Sequence, residues 1–355
     1  MSPRRVLWVS TSTRTRGGVA TYVRTMQQTP LWTEWGIRHV TTHRNGSVLT
    51  RVTTFLIGAA AFLRELLVRR PAVVHLHTAS YGSFVRKSLL AWASRGLRVP
   101  VVLHIHGGAF REFYRSVPRL LQRYVRATLQ MADAVVALGE TWQRVLHEIA
   151  PEARIAVVPN AVRPGVPVEQ PGQGETVHVL FLGDVHEAKG AFLLLDAWGR
   201  LGEEGRRPPA DLVLAGSGAV EEARASVTAL GLDDEVRVTG WVPPGDVESL
   251  LRLSHVLVLP SFLEGQPMAL LEAMAHGLCV VASDVGGIPD LIDDECGVLV
   301  PARDRDALTA ALQTVLVDAR LRSRLGGRAL VRVRERFDVD VVWREIDALY
   351  DEITA

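Results

Sequence analysis

"SFLEGQPMALLEAMAHG", Ser261–Gly277, holds two glutamates, Glu264 and Glu272, with seven residues between them. Pro267 suits the first turn of a helix, where its missing N–H costs nothing. Gly277 suits the left-handed position after the last turn. The stretch therefore predicts a helix from Pro267 to His276. The free N–H groups at its start belong to residues around Gly265–Ala269, and a helix start is an anion site that a diphosphate would fill. A carboxylate beside that site would repel phosphate, so Glu264 makes sense there if it addresses hydroxyls. Two carboxylates flanking a phosphate site could then accept hydrogen bonds from two sugars. The plain alternative is that Glu264 caps the helix electrostatically and Glu272 is a solvated helix charge.

Just upstream, "HVLVLPS" reads as a short buried strand that ends in small or polar residues. The same form recurs in "RRVLWVSTS", "AVVHLHTAS", "VPVVLHIHGG", "ADAVVALGE" and "ARIAVVPNAV". It restarts in "VHVLFLGDV", "ADLVLAGSG", "EVRVTGWV", "CVVASDVGG" and "GVLVPA". Helical patterns such as "RLLQRYVRATLQM" lie between them. This alternation predicts α/β architecture with parallel sheets covered on both faces. The Pro- and Gly-rich "RPGVPVEQPGQGE" (Arg163–Glu175) is the best linker in the chain. The 355 residues fit two domains, read here as 1–165 and 166–338, with a helical tail over about 339–355. Two open sheets suggest a cleft, with ligands beyond the carboxyl ends of the strands.

An apolar content of 48% and a charged content of 22% describe a folded, soluble protein. Cys279 and Cys296 form no disulfide framework or CxxC pattern, which points to a reducing cytoplasm. The start is a poor signal peptide. The longest apolar run, Phe55–Leu63, is about half a membrane span and ends at Arg64 and Glu65. The net charge of +1 hides a division. Residues 1–165 carry 23 Lys and Arg against 7 Asp and Glu, whereas residues 166–355 carry 17 against 32. The basic half should attract something anionic. In "RRPAVV", "FVRKSLLAWASRGLR" and "REFYRSVPRLLQRYVR", apolar residues and arginines alternate at helical spacing, which fits an amphipathic surface on anionic lipid headgroups. An arginine-rich solvated surface is the bland alternative. No nucleic-acid motif is present, so nucleic acid is not the expected partner.

The Ser261–Gly277 stretch closely resembles the glutamate–seven–glutamate motif of retaining glycosyltransferases of family 4, which have the GT-B fold. The resemblance continues in "VHVLFLGDVHEAKGAFLLLDAW", "LVLAGSG", "VRVTGWVP", "GLCVVASDVGGIPDLI" and "CGVLVPARDRDALTAAL", covering nearly all of residues 176–318. The N-terminal half matches more loosely, through the Gly17-Gly18 loop, "HIHGG", "ADAVVAL" and "VPNAV". The resemblance implies two Rossmann-like domains facing a central cleft. The first binds the acceptor and the second the nucleotide-sugar, with the last helix crossing back so that Trp343 and Tyr350 pack.

By the same resemblance Glu264 contacts the donor sugar and Glu272 the ribose. The backbone of Gly265, Gln266, Pro267, Met268, Ala269 and Leu270 contacts sugar and diphosphate. Lys189 matches the lysine that clamps the diphosphate, a mobile point charge suited to a leaving phosphate; a surface lysine before a helix is the alternative. Asp184 stands where the family often has arginine, which removes one cation; Lys189, helix dipoles, or Arg14 or Arg16 would then serve. Gly17 and Gly18 let backbone approach a phosphate. Gly216 and Gly218 skirt the nucleotide, backbone near Val242 meets the base, and Trp241 stacks on the base or simply packs. His106 matches a histidine near the reacting sugar and would hold a hydroxyl or nearby backbone, while His104 packs in the core. His77, Ser80 and Tyr81 could line the acceptor side, with a structural role as the alternative for His77. No HxxxH or Cys/His cluster suggests zinc, and enzymes of this fold generally need no metal, so no metal or cofactor is expected.

The implied activity is retaining transfer of a sugar from a UDP- or GDP-sugar to a hydroxyl of a glycan or lipid-linked glycan. Its setting would be polysaccharide or glycoconjugate synthesis, in the cytoplasm or peripherally on the inner face of the plasma membrane. A retaining hydrolase fits poorly, because its carboxyls must face each other across about 5 Å. A nucleotide-sugar epimerase of the same fold, and a catalytically weak nucleotide-binding member, for which Asp184 is the motive, remain as alternatives.

Overall fold

The computed structural model describes residues 4–172, 174–203 and 208–355. The chain forms two compact units, Met1–Ala161 with Val339–Ala355, and Val162–Asp338. In the first, strands β1 (Val6–Thr11), β2 (Arg38–His43), β3 (Val73–Thr78), β4 (Val101–Ile105), β5 (Ala134–Ala137) and β6 (Ile155–Val157) pair in the order β2-β1-β3-β4-β5-β6. In the second, β7 (Val177–Leu182), β8 (Ala210–Ala215), β9 (Val236–Gly240), β10 (Val256–Leu259), β11 (Cys279–Ser283) and β12 (Val298–Val300) pair in the order β12-β11-β10-β7-β8-β9. Every pairing is parallel. Helices cover both faces of such sheets, so central strands read as unbroken apolar runs. Accordingly every residue of β3, β4, β10 and β11 is buried.

The first unit buries histidines where such a core usually holds valine or leucine. His77 of β3 lies in register with His104 of β4. Two-residue alternation puts His75 on the same face as His77, and His106 follows β4. Trp8 Nε1, which can only donate, bonds the Tyr350 hydroxyl at 2.7 Å. The same hydroxyl bonds His75 Nδ1, and His75 Nε2 lies 3.2 Å from His104 Nδ1. His77 Nδ1 meets His106 Nε2 at 2.9 Å. Burial pushes His75 and His106 down to about 3, a hydrogen bond with Asn160 partly opposing this at His106, and holds His77 and His104 well below the usual histidine range. These rings are neutral at physiological pH. Tyr350 belongs to the helix Val339–Thr354, so the relay ties the end of the chain to the first sheet.

The Arg163–Glu175 stretch is fastened to the second unit through several of its residues. Gly165 N–H donates to the Ala275 carbonyl and Val168 N–H to that of His276, both at 2.9 Å. The buried Arg322 bonds Gln170 Oε1 at 3.0 Å and the carbonyls of Val315 and Leu316 at 2.7 and 2.8 Å. Backbone groups lying against a core need partners, and these contacts supply them.

The histidine relay sets a pH dependence. Unfolded histidines bind protons below about pH 6.5. The buried ones resist until about 3 for His75 and His106, so the unfolded chain binds more protons in between and stability falls with pH. At ~1.4 kcal/mol per pH unit, His75 alone removes about 2 kcal/mol between pH 6.5 and 5. Denaturant titrations at pH 7 and pH 5, followed by tryptophan fluorescence, should show this loss. Equal midpoints would mean that the rings are protonated in the fold.

Candidate active site

In the second sheet β7 lies centrally, the chain runs outward through β8 and β9, then returns to β10 on the other side of β7. The loops after β7 and β10 therefore diverge and leave a crevice at the carboxyl ends of these strands, the switch point where open α/β sheets bind ligands. Lys189 sits on the β7 side, in the short turn Glu187–Lys189, and Glu264 on the β10 side. Lys189 Nζ lies 2.6 Å from Glu264 Oε1, and Ser261 Oγ donates to the same oxygen at 2.8 Å. The carboxylate is inside, at 6% exposure, and the ammonium at the mouth, at 34%. A buried carboxylate without partners is costly; the lysine and the serine hydroxyl offset that cost. Glu264 thus turns toward the β7 loop, and Pro267, the residue before the helix that follows, makes no side-chain cap.

That helix is Met268–Ala275, one residue shorter at each end than predicted. Pro267 is the residue before the first turn, with extended backbone (φ −72°, ψ 122°), so its absent N–H still costs nothing. Gly277 ends the helix at φ 70°. Gln266, Pro267, Met268 and Leu270 are buried and Ala269 is half-buried. What Gly265–Leu270 can offer a ligand is mainly backbone N–H, at the positive end of the helix dipole. Glu272 is half-buried one turn further on. The loop after β11 clamps the backbone of this region: Gly287 N–H donates to the Gly265 carbonyl at 3.0 Å, and a Cβ on Gly286 (φ 56°) would lie 1.9 Å from the Glu264 carbonyl oxygen. Only glycine fits there.

On the other side of β7, a Cβ on Gly216 would lie 1.6 Å from the Gly183 carbonyl oxygen, so this glycine lets the ends of β7 and β8 close on each other. Asp184 is exposed and its Oδ1 accepts from Ser217 Oγ at 2.9 Å, tying the same two loops. Trp241 is exposed and Val242 half-buried just past β9.

In the first unit, Gly17 (φ 116°) and Gly18 are exposed at the start of the helix Gly18–Met26, in a loop that also exposes Arg14 and Arg16. Tyr81, exposed beyond β3, takes φ 53° and ψ −129°. Such a backbone is strained for a bulky residue and persists only where the surrounding loop holds it. Ser80 is half-buried beside Gly107, and His106 is half-buried at the end of β4. His77 does not line an acceptor-facing surface: at 2% exposure it is closed into the core behind His106, because strand alternation turns it toward the helix-covered face.

His75, His77 and His104 bring nitrogens within 4.8 Å of one another. The sequence reading sought ligands close in one segment and so missed this grouping, which two strands assemble. Neutral imidazoles are ligands in kind, but both nitrogens of His75 are engaged by Tyr350 and His104. Ser261 was also missed as a partner of Glu264; its only sequence signal is its place three residues earlier.

Residues 6–161 match the family model described as "Glycosyl transferase 4-like domain", and residues 176–318 the one described as "Glycosyl transferases group 1". The phosphatidyl-myo-inositol mannosyltransferase of Mycolicibacterium smegmatis is 30% identical over 79% of this chain and 71% of its own length. Its Mycobacterium leprae counterpart is 31% identical over 79% and 73%. This chain belongs to glycosyltransferase family 4. The glycosyltransferase has the GT-B fold: sucrose-phosphate synthase from Thermosynechococcus elongatus superposes with a TM-score of 0.81 over 99% of both chains at 20% identity. Anabaena HepE in complex with UDP and glucose superposes at 0.75 over 98% of this chain and 100% of its own, at 18% identity. Among the described residues, no helix is long and apolar enough to cross a membrane.

The Lys189–Glu264 contact is testable in the isolated protein. Lys189→Ala should lower stability by about 1–3 kcal/mol, less than for a fully buried pair because the ammonium is partly solvated. Ser261→Ala should cost about 1 kcal/mol. Adding Glu264→Gln to Lys189→Ala should recover much of the loss. Chemical denaturation checks all three, and an unchanged Lys189→Ala midpoint would show that the pair is not what keeps the carboxylate inside.

Proposed function

We propose that this glycosyltransferase moves a sugar, with retention, from a nucleotide-sugar to a hydroxyl of a glycan or lipid-linked glycan. The observation that carries this reading is the Lys189 ammonium held at 2.6 Å by Glu264 beside the start of the helix Met268–Ala275, at the switch point of the second sheet. A donor diphosphate brings two negative charges to that place. Lys189 and the N–H groups of the first turn take the diphosphate. Lys189 then exchanges its carboxylate partner for phosphate, which releases a Glu264 oxygen for donor-sugar hydroxyls. Glu272 accepts from the ribose, and the backbone beside Val242 meets the base.

Bond breaking leaves charge on the departing diphosphate, where a preplaced cation and dipoles act most strongly. The acceptor hydroxyl attacks on the face that the diphosphate leaves, and the departing phosphate itself takes the proton. No side-chain base is needed on this route. His106, neutral because burial pushes it down to about 3 and already bonded to His77 and Asn160, orders the backbone beside the sugar. No metal enters the scheme. Tyr81 and Ser80 serve the acceptor side of the first unit.

UDP is favoured over GDP as the carrier, since HepE is seen with UDP and with UDP-glucose. A lipid-linked acceptor accords with the phosphatidyl-myo-inositol mannosyltransferases among the relatives. The basic first unit would then work against an anionic membrane surface on the cytoplasmic side.

A thermal-shift titration against UDP, GDP, ADP and dTDP tests the donor site. One nucleotide should raise Tm, and Glu272→Ala and Lys189→Ala should each remove the shift measured from their own baseline. Asp184→Arg should strengthen it about fivefold or more in Kd by restoring a cation to the loop. No shift with any nucleotide would end the transferase reading. A shift without turnover of the matching nucleotide-sugar would mark a binding protein.

A further inference from the structure

We infer that the outer face of the helix Val48–Arg64 is a docking surface for an anionic lipid bilayer. The sequence reading placed membrane contact elsewhere, at residues 69–74, 84–98 and 111–126. The Val48–Arg64 helix lies on β2 with its backbone almost touching the strand: a Cβ on Gly58 would be 2.2 Å from the Thr41 carbonyl oxygen. This contact, with buried Phe62 and Leu66, fixes which face points inward. The face turned outward is apolar. Leu49, Val52, Leu56 and Leu63 form one row at helical spacing with Val48 and Ile57 beside it, Leu67 and Val68 follow in the turn Glu65–Arg69, and all eight are exposed, Ile57 at 72%. A globular helix normally puts polar residues there.

The neighbouring helix Gly82–Gly96 repeats the arrangement, with exposed Val85, Leu89 and Trp92 at helical spacing. Beyond it the helix Arg119–Met131 exposes Leu120. Trp92 Nε1 donates to Thr128 Oγ1 at 3.0 Å and the Tyr124 hydroxyl to Ser88 Oγ at 2.9 Å, which locks these two helices into one layer.

Charge selects the occupant. Residues 44–131 carry 14 Lys and Arg against two acids, Glu65 and Glu112. Glu65 is already bonded to Arg38 and Arg69. Arg44, Arg51, Arg64 and Arg70 are exposed around the apolar row. A second copy of the chain would set arginine rim against arginine rim, which repels. A nucleic acid would match the arginines but leave the apolar rows in water. A bilayer with anionic headgroups answers both: apolar side chains enter the headgroup boundary to about 5–10 Å while arginines stay at the phosphates. This inference deepens the membrane setting of the proposed function by assigning its contact surface; bilayer binding needs no donor or acceptor, so its failure would leave the transfer reaction standing.

The test is co-sedimentation of the full chain with phosphatidylcholine vesicles with and without phosphatidylglycerol, at two salt concentrations. The chain should bind the phosphatidylglycerol vesicles, and more weakly at high salt. Leu56→Gln with Ile57→Gln should weaken binding about tenfold or more. Both side chains are exposed, so Tm should not change. Arg51→Ala with Arg64→Ala should weaken binding and flatten the salt dependence. Val317→Gln, an equally exposed apolar residue of the second unit, should bind as the parent does. Parental binding by the Leu56→Gln, Ile57→Gln variant would overturn the inference. So would a parent dimer that this variant converts to monomer without any vesicle binding.

Discussion

The place of β7 at the centre of the second sheet is the constraint on which the site depends. Because the chain leaves β7 in one direction and comes back to β10 on its other side, two loops far apart in sequence open onto the same crevice. Lys189 comes from one and Glu264 from the other, 75 residues apart, and they meet at 2.6 Å. Neither residue has a reason to be partly buried alone. Together they place a cation near the start of the helix Met268–Ala275. Ser261 steadies the carboxylate, and Gly286 allows the β11 loop to lie against the backbone of Glu264.

The first unit meets a different constraint. Polar rings occupy a core position, and each needs partners or a cost follows. The relay Trp8–Tyr350–His75–His104 gives these buried rings polar partners, starting from an indole N–H that can only donate into the phenol. The relay therefore needs the helix Val339–Thr354 in place. His77 supports His106 from behind, which gives this half-buried ring a defined orientation at the end of β4.

Much of this was legible in the sequence. The repeated strand pattern ending in glycine or polar residues marked both parallel sheets, because a strand covered on both faces must be apolar throughout. The proline and glycine flanking the Met268–Ala275 helix bounded it to within one residue. Other features were not legible. The outward apolar row of Val48–Arg64 looked like an ordinary apolar run, since sequence spacing does not say which face a helix turns to its sheet. For His77 the sequence left lining and structural roles open, because its burial depends on the helices packed over β3. Asp184 looked like a missing cation, and only the fold shows it bonded to Ser217.

The sequence by itself determined the α/β class and the two restarting strand series. These follow from local periodicity and residue chemistry, which the chain carries at short range. The tertiary structure alone decided that Lys189 pairs with Glu264, that three histidines from two strands share one neutral core with His106 against them, and that an apolar helix face looks outward. Each of these depends on strand order or on the rotation of a helix against its sheet. Both are set by long-range packing, which no local pattern encodes.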